Sequence, residues 1–263
     1  MHPHLHGWRA SGPHRQRAAA AAVTAALLIL AVLATAGCAS PAGEPAFVRP
    51  AGHVQAASGG PHAVTIGAEG RTSATLAVLT GVSLLTVTAA AMPGQLLRVS
   101  TPANSQLRPE LTETAGQVQL SLASTGQPGP AVVSVEVNSA VAWRFELSGG
   151  ATQTSLDLAA GKVAGLDITA GISLIRLSLP RPDHTVTITL AGGATLVELT
   201  APPGVPDRLE LAGGASLVTL GGVTYHGVAG GTVLTSPGWS RAASRYDIIA
   251  PAGISRFSAT VAG

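Results

Sequence analysis

One cysteine in 263 residues excludes an intramolecular disulfide, so nothing covalent staples this chain. Aromatic residues supply only 3% of it and charged residues 11%, while hydrophobic residues reach 46%. Any core must therefore be assembled from Val, Leu, Ile and Ala, a choice that favours strands over packed helices. Basic excess is also missing. Three of the 15 basic residues, Arg9, Arg15 and Arg17, precede an apolar leader run, which leaves 12 basic against 13 acidic residues beyond it. Nothing remains to steer the folded part toward nucleic acid. Zinc spacings, phosphate loops, calcium-binding Gly-Gly-x-Gly-x-Asp repeats and Gly-x-Ser-x-Gly elbows do not occur, so no metal or cofactor is expected. Glycine and proline are plentiful, at 32 and 18, and they punctuate the chain into short segments.

Residues 1–17 carry no acid, an uncharged apolar run extends from Ala18 to Ala34, and Thr35-Ala36-Gly37-Cys38 follows. Basic, apolar and small-residue segments in that order make a secretory leader. The lone cysteine behind Ala36-Gly37 resembles a bacterial lipobox, with Thr35 standing where a branched apolar residue is usual. That resemblance implies a signal peptide over 1–37, a lipid on Cys38, and residence on the extracytoplasmic face of the cell membrane. Two other readings stay open. The run is near the ~20 residues that span a bilayer, which would make it an uncleaved anchor helix; ordinary cleavage would release the chain. His2, His4, His6 and His14 lie ahead of the run and are lost with a cleaved leader, so they make poor metal ligands. Residues 38–62, rich in Ala, Gly, Pro and Ser, read as a flexible tether.

Beyond the tether, residues 63–142 form a divergent β region and residues 143–263 a regular repeat region with a C-terminal cap. In the first, Ser73–Leu79, Ser83–Thr88, Gln117–Leu122 and Val132–Val137 read as strands, and Pro102–Gly116 as a long loop. The second is organised by a glycine-headed repeat: Gly171-Ile-Ser-Leu-Ile-Arg-Leu177, Gly193-Ala-Thr-Leu-Val-Glu-Leu199 and Gly214-Ala-Ser-Leu-Val-Thr-Leu220. Further copies start at Gly150 and Gly253, with a fainter one at Gly81.

Counting back from each glycine by three, five and seven puts Leu147, Phe145 and Trp143 on one face of a strand. Ile168, Leu166 and Ala164 are their equivalents, as are Leu190, Ile188 and Val186, then Leu211, Leu209 and Asp207, and Ala250, Ile248 and Tyr246. After the glycine, the same alternation groups Ser173 with Ile175 and Leu177, and sends Arg176 and Leu174 outward. If copies stack in register, Arg176 meets Glu198. Proline corners such as Pro180-Arg-Pro182 end one strand, and Ala-Gly or Gly-Gly corners suit backbone with positive φ. Two architectures fit: a β-solenoid with rungs of about 21 residues, or an antiparallel sandwich or barrel. The near-constant period favours the solenoid. Trp143 and Phe145 in the first clear copy, and Tyr246 and Phe257 in the last, are expected to plug its ends.

These repeats, with Leu-Pro-x-Pro between them and the closing Trp239…Arg245-Tyr246-Asp247-Ile248…Gly253, resemble the putative-adhesin β-solenoid domains of bacterial envelope proteins. Those domains are related to the C-terminal domain of cell-wall-antibiotic response proteins. With its leader the chain looks like an actinobacterial lipoprotein. The resemblance implies a non-enzymatic module for binding or envelope sensing, with cell-wall glycan or an envelope protein as partner.

Two surfaces are candidates for such a partner: the outward column Leu174, Leu196 and Leu217, and the non-repeating segment 225–246 with Tyr225 and Trp239. The segment also reads as a cap folded over the last repeats. An alternative function, cleavage of glycan, would rest on Asp157 and Asp167 as acid and base. His53, His62, His184 and His226 read as tether or turn residues.

Overall fold

Alternation of branched apolar with polar residues makes a strand of almost every such run. The computed structural model describes Gln55–Ala56 and residues 62–263, and there the chain is all-β apart from one 3-10 turn, Trp239–Arg241. The stretch expected to be a tether holds β1 (Gln55–Ala56) and, at His62, the first residue of β2 (His62–Gly67); the divergent region supplies the rest of β2, then β3 (Ser73–Val78), β4 (Val82–Ala90), β5 (Gln95–Thr101), β6 (Leu107–Thr114), β7 (Gln117–Ser124) and β8 (Val132–Asn138). The repeats supply β9 (Ala142–Leu147), β10 (Ala151–Asp157), β11 (Lys162–Ile168), β12 (Ile172–Ser178), β13 (Thr185–Leu190), β14 (Ala194–Ala201), β15 (Asp207–Leu211) and β16 (Ala215–Leu220). β17 (Val223–Val228), β18 (Thr232–Thr235), β19 (Arg245–Ala250) and β20 (Ile254–Val261) close the chain.

Each glycine copy gives one strand to each of two mixed sheets. The first has eleven strands in the order β1-β2-β5-β8-β4-β10-β12-β14-β20-β16-β17, and the second has nine in the order β18-β15-β19-β13-β11-β9-β3-β7-β6. Copies stack by parallel pairing. Ile172 meets Ala194, Arg176 meets Glu198, and Leu177 meets Leu199, so equivalent positions touch as the repeat anticipates.

Chain order and stacking order part company at both ends. β7 and β8 lie outside β3 and β4, and the last copy, β19–β20, is slotted between β13–β14 and β15–β16. Antiparallel strands then close each end: β5, β2, β1 and β6 at one, β17 and β18 at the other. The aromatic residues are consequently not end plugs. Trp143 and Phe145 stand in mid-stack with ring centroids 6.0 Å apart, and Tyr246 and Phe257 sit one copy in from the end. All four are buried.

The faces mostly follow the alternation, with two local departures. A bulge between Val163 and Gly165 turns Val163 inward in place of Ala164. Directly after the corner glycine, Ile172 and Ala194 point inward while Ser173, Thr195 and Ser216 are exposed, because the chain takes one extra residue to round the corner. The corner glycines themselves answer to spacing more than to dihedral angle. Gly149 and Gly192 lack positive φ, but a Cβ at either would collide with the backbone of the adjacent copy, at Thr80 and Ala170 respectively. The expected long loop also contains β6, whose Leu107, Pro109 and Leu111 alternate toward the core. Pro109 belongs on such an edge, where a missing donor costs little.

Candidate interaction surface

On the outer face of the first sheet, Leu174 and Leu196 are cross-strand neighbours, as the repeat requires. Leu217 is not next in line. Insertion of β20 places Arg256 between Leu196 and Leu217, and His226 of β17 lies beyond. All three leucines are half-buried, so the column is a broken stripe with a guanidinium in its middle. Next to it Arg176 Nε donates to Glu198 Oε2 at 2.7 Å, the ion pair that stacking in register demands. Hydroxyls occupy much of the rest, and Thr200 and Thr260 approach within 3.4 Å of each other.

The outer face of the second sheet is tied together by charge. Arg144 lies across Gly165, where a Cβ would strike its guanidinium, and donates to Asp167 at 3.0 Å. Gln117 reaches over small Ala77 and Thr75 of β3 to Glu146 at 3.0 Å. Arg208 pairs with Asp247 at 2.7 Å and with Glu210. Apart from Glu210, which shares β15 with Arg208, these partners lie on different strands and are consumed by stacking.

The cap brings two candidates together. Val223 and Tyr225 continue the inward columns of Leu220 and Val218, yet with no strand beyond β17 among the described residues they stay partly exposed. Tyr225 and Trp239 line one open cleft of about 440 Å³ with Val223, Gly221 and Pro237. A second cleft of about 460 Å³ lies behind Gly221 and Pro237 and is lined by Asp207, Val205 and Val261. Trp239 is held from one side: the Arg245 guanidinium stacks 4.5 Å from its ring centroid and donates to its carbonyl at 2.9 Å. His226 lies in β17, not in a turn.

Asp207 anchors this cap. Its N–H donates to Ser236 Oγ at 2.7 Å, and Ser236 Oγ donates back to its carbonyl at 3.1 Å, fixing the start of the Pro237 loop to β15. Burial pushes the Asp207 carboxyl above the usual carboxylate range, and the Ser236 hydroxyl offsets part of that rise. Tyr246, on the adjacent strand, is likewise raised by burial, and its hydroxyl donates to Pro180 O at 2.6 Å.

Asp157 and Asp167 do not form a catalytic pair. Asp157 lies on β10 in the first sheet and Asp167 on β11 in the second, each on an outward face, so they point to opposite sides of the molecule, and Asp167 is bound to Arg144. Cys38, the leader and the early histidines fall outside the described residues. Among those described, no helix is long and apolar enough to cross a membrane, and no group of His, Cys, Asp and Glu is placed to hold a metal ion.

Sequence reasoning passed over Ser236, Pro237 and the Gly221–Gly222 turn. The signal was present in that turn: two consecutive glycines, at φ 58 and 81, reverse the chain from β16 into antiparallel β17.

No protein-family model matches the chain, and no curated protein matches it. Among solved structures, the fold is similar to that of a putative cell adhesion protein from Clostridium sporogenes, with a TM-score of 0.54 and 14% identity over 76% of this chain and 98% of that one. A putative adhesin from Bacteroides fragilis aligns over 75% of this chain and 97% of its own at 14% identity, with a TM-score of 0.23. At such identity, the first match establishes likeness of fold alone.

Proposed function

We propose that the chain is a membrane-anchored, extracytoplasmic β-solenoid that works by binding, as an adhesin-like or envelope-sensing module without catalytic turnover. One observation carries the reading. The chain enters the first sheet through β1 and β2 at one end, and the cap with its Tyr225–Trp239 cleft lies at the other, roughly 48 Å away for eleven strands at ~4.8 Å. A lipid on Cys38 and the linker between it and β1 would thus hold one end near the bilayer and present the other outward. The Clostridium protein's description as a putative cell adhesion protein fits this role.

Two measurements test it. Fatty-acid labelling of cells expressing the chain should vanish in Cys38→Ala, and persistence of label refutes the lipid anchor. Full-length protein in its membrane should retain cell-wall glycan or an envelope protein in a pull-down. Tyr225→Ala should weaken that capture without lowering the melting temperature. Equal capture by the variant would remove the cap cleft from the binding site, and release of sugar fragments would establish an enzyme.

A further inference from the structure

From Leu211 to Ser240 the chain contains no Asp, Glu, Lys or Arg. That interval builds β16, β17 and β18, so the whole outer edge of the capped end is formally uncharged. Of the four most exposed large hydrophobic residues among those described, three are at or beside this end: Val223 at 51%, Val233 at 47% and Val261 at 65%. The opposite end is different in kind. Its edge strand β6 bears Arg108, Glu110 and Glu113 around Pro109, and Arg71 pairs with Glu113 at 2.6 Å. Charge and proline on an edge are devices against strand addition, and β17 and β18 have neither.

We propose that the capped end is a self-association surface, where β17 of one copy pairs antiparallel with β17 of a second copy, end to end. An apolar, uncharged edge needs an occupant that buries no charge of its own, and a second capped end meets that condition. Head-to-tail stacking does not, because it would desolvate Arg108, Glu110 and Glu113 against an uncharged face. A twofold axis normal to the sheet reverses strand direction, so the new pair is antiparallel like β16 and β17, and β18 meets its own copy in the second sheet. Strands of about six residues on sheets ~10 Å apart give an end face of roughly 400 Å² per copy. That is below a standard interface, and it implies a micromolar contact strengthened when two surfaces that each display many copies face one another. This inference names a partner for the proposed binding module but does not depend on the lipid anchor.

All the described strands lie within 55–263 and pair only with each other, so the chain from residue 39 onward contains every buried core residue among those described. Sedimentation velocity of that chain at ~10–100 μM should show a concentration-dependent dimer. Val223→Lys should weaken it about tenfold or more with an unchanged melting curve. Thr224→Lys, exposed on the same strand, is the second variant should the first disturb folding. Because this chain lacks cysteine, Thr224→Cys should be joined to its copy by a bis-maleimide crosslinker and Arg108→Cys should not. A monomer throughout that range, or crosslinking through residue 108 instead of 224, overturns the proposal. Either result leaves capture of glycan or an envelope protein to be judged separately by the pull-down.

Discussion

From β9–β10 through β13–β14, neighbours in the chain are neighbours in space; at the two ends they are not. The middle copies are held by repetition. Leu166 packs on Phe145 and Ile188, and Ile175 on Val197, so each residue meets its own equivalent. The ends are held by particular contacts: Asn138 to Met92 and Gln95 at one, and Tyr246 to Pro180, Arg208 to Asp247 and Ser236 to Asp207 at the other. Repetition specifies that copies stack, and the individual contacts specify which copy goes where.

The sharpest way to break the middle is Gly192→Val. The added side chain would meet the Ala170 backbone in the adjacent copy, and unfolding in denaturant should show a loss of more than about 4 kcal/mol, or no folded protein. Phe257→Ala probes the inserted copy. Its side chain is fully buried between Val197 and Val218, and the substitution should cost about 3–5 kcal/mol. Val223→Ala at the open cap should change stability by no more than about 0.5 kcal/mol. Equal losses for these two would mean that the cap is as tightly packed as the copy inside it.

Repetition is imperfect even in the middle. Thr154 occupies a column filled elsewhere by Leu85, Ile175 and Val197, and its hydroxyl is buried without a partner. Thr154→Val should therefore stabilise the protein by about 1 kcal/mol in the same denaturation assay.

Asp207 should give the smallest effect at a fixed pH and the clearest signature across pH. Its folded-state carboxyl titrates above the unfolded value of ~3.9. The folded state therefore binds the extra proton, and this contribution is fully present below pH ~4 and lost as pH rises through the raised value. Asp207→Asn should flatten that part of the stability profile. An unaltered profile would show that Asp207 is ionised in the folded chain at no cost.

Strand positions and buried faces were legible because a period of two is written in consecutive residues, and Arg176–Glu198 followed from it directly. The order of copies was not, since Gly193-Ala-Thr-Leu-Val and Gly214-Ala-Ser-Leu-Val are equally good neighbours by local pattern. A clue existed in charge. Had β15 stacked on β13, Arg208 would face Thr187, whereas the inserted β19 offers Asp247. Of the surface candidates, Tyr225 and Trp239 share a cleft, while the leucine column fails at Arg256 for the same reason of order. β6 escaped notice because its charges and proline, which suit an exposed edge, read locally as a loop.

The slotted position of β19–β20 also sets a timetable. A chain leaving the ribosome completes β15–β16 before the copy that must lie beneath it exists. Thr200 finds its neighbour 60 positions later, at Thr260. The capped end thus assembles last, through contacts of long sequence separation that slow folding. A chain truncated before Arg245 would leave β13 and β14 without their outer neighbours, so only a fully synthesised molecule presents a finished tip.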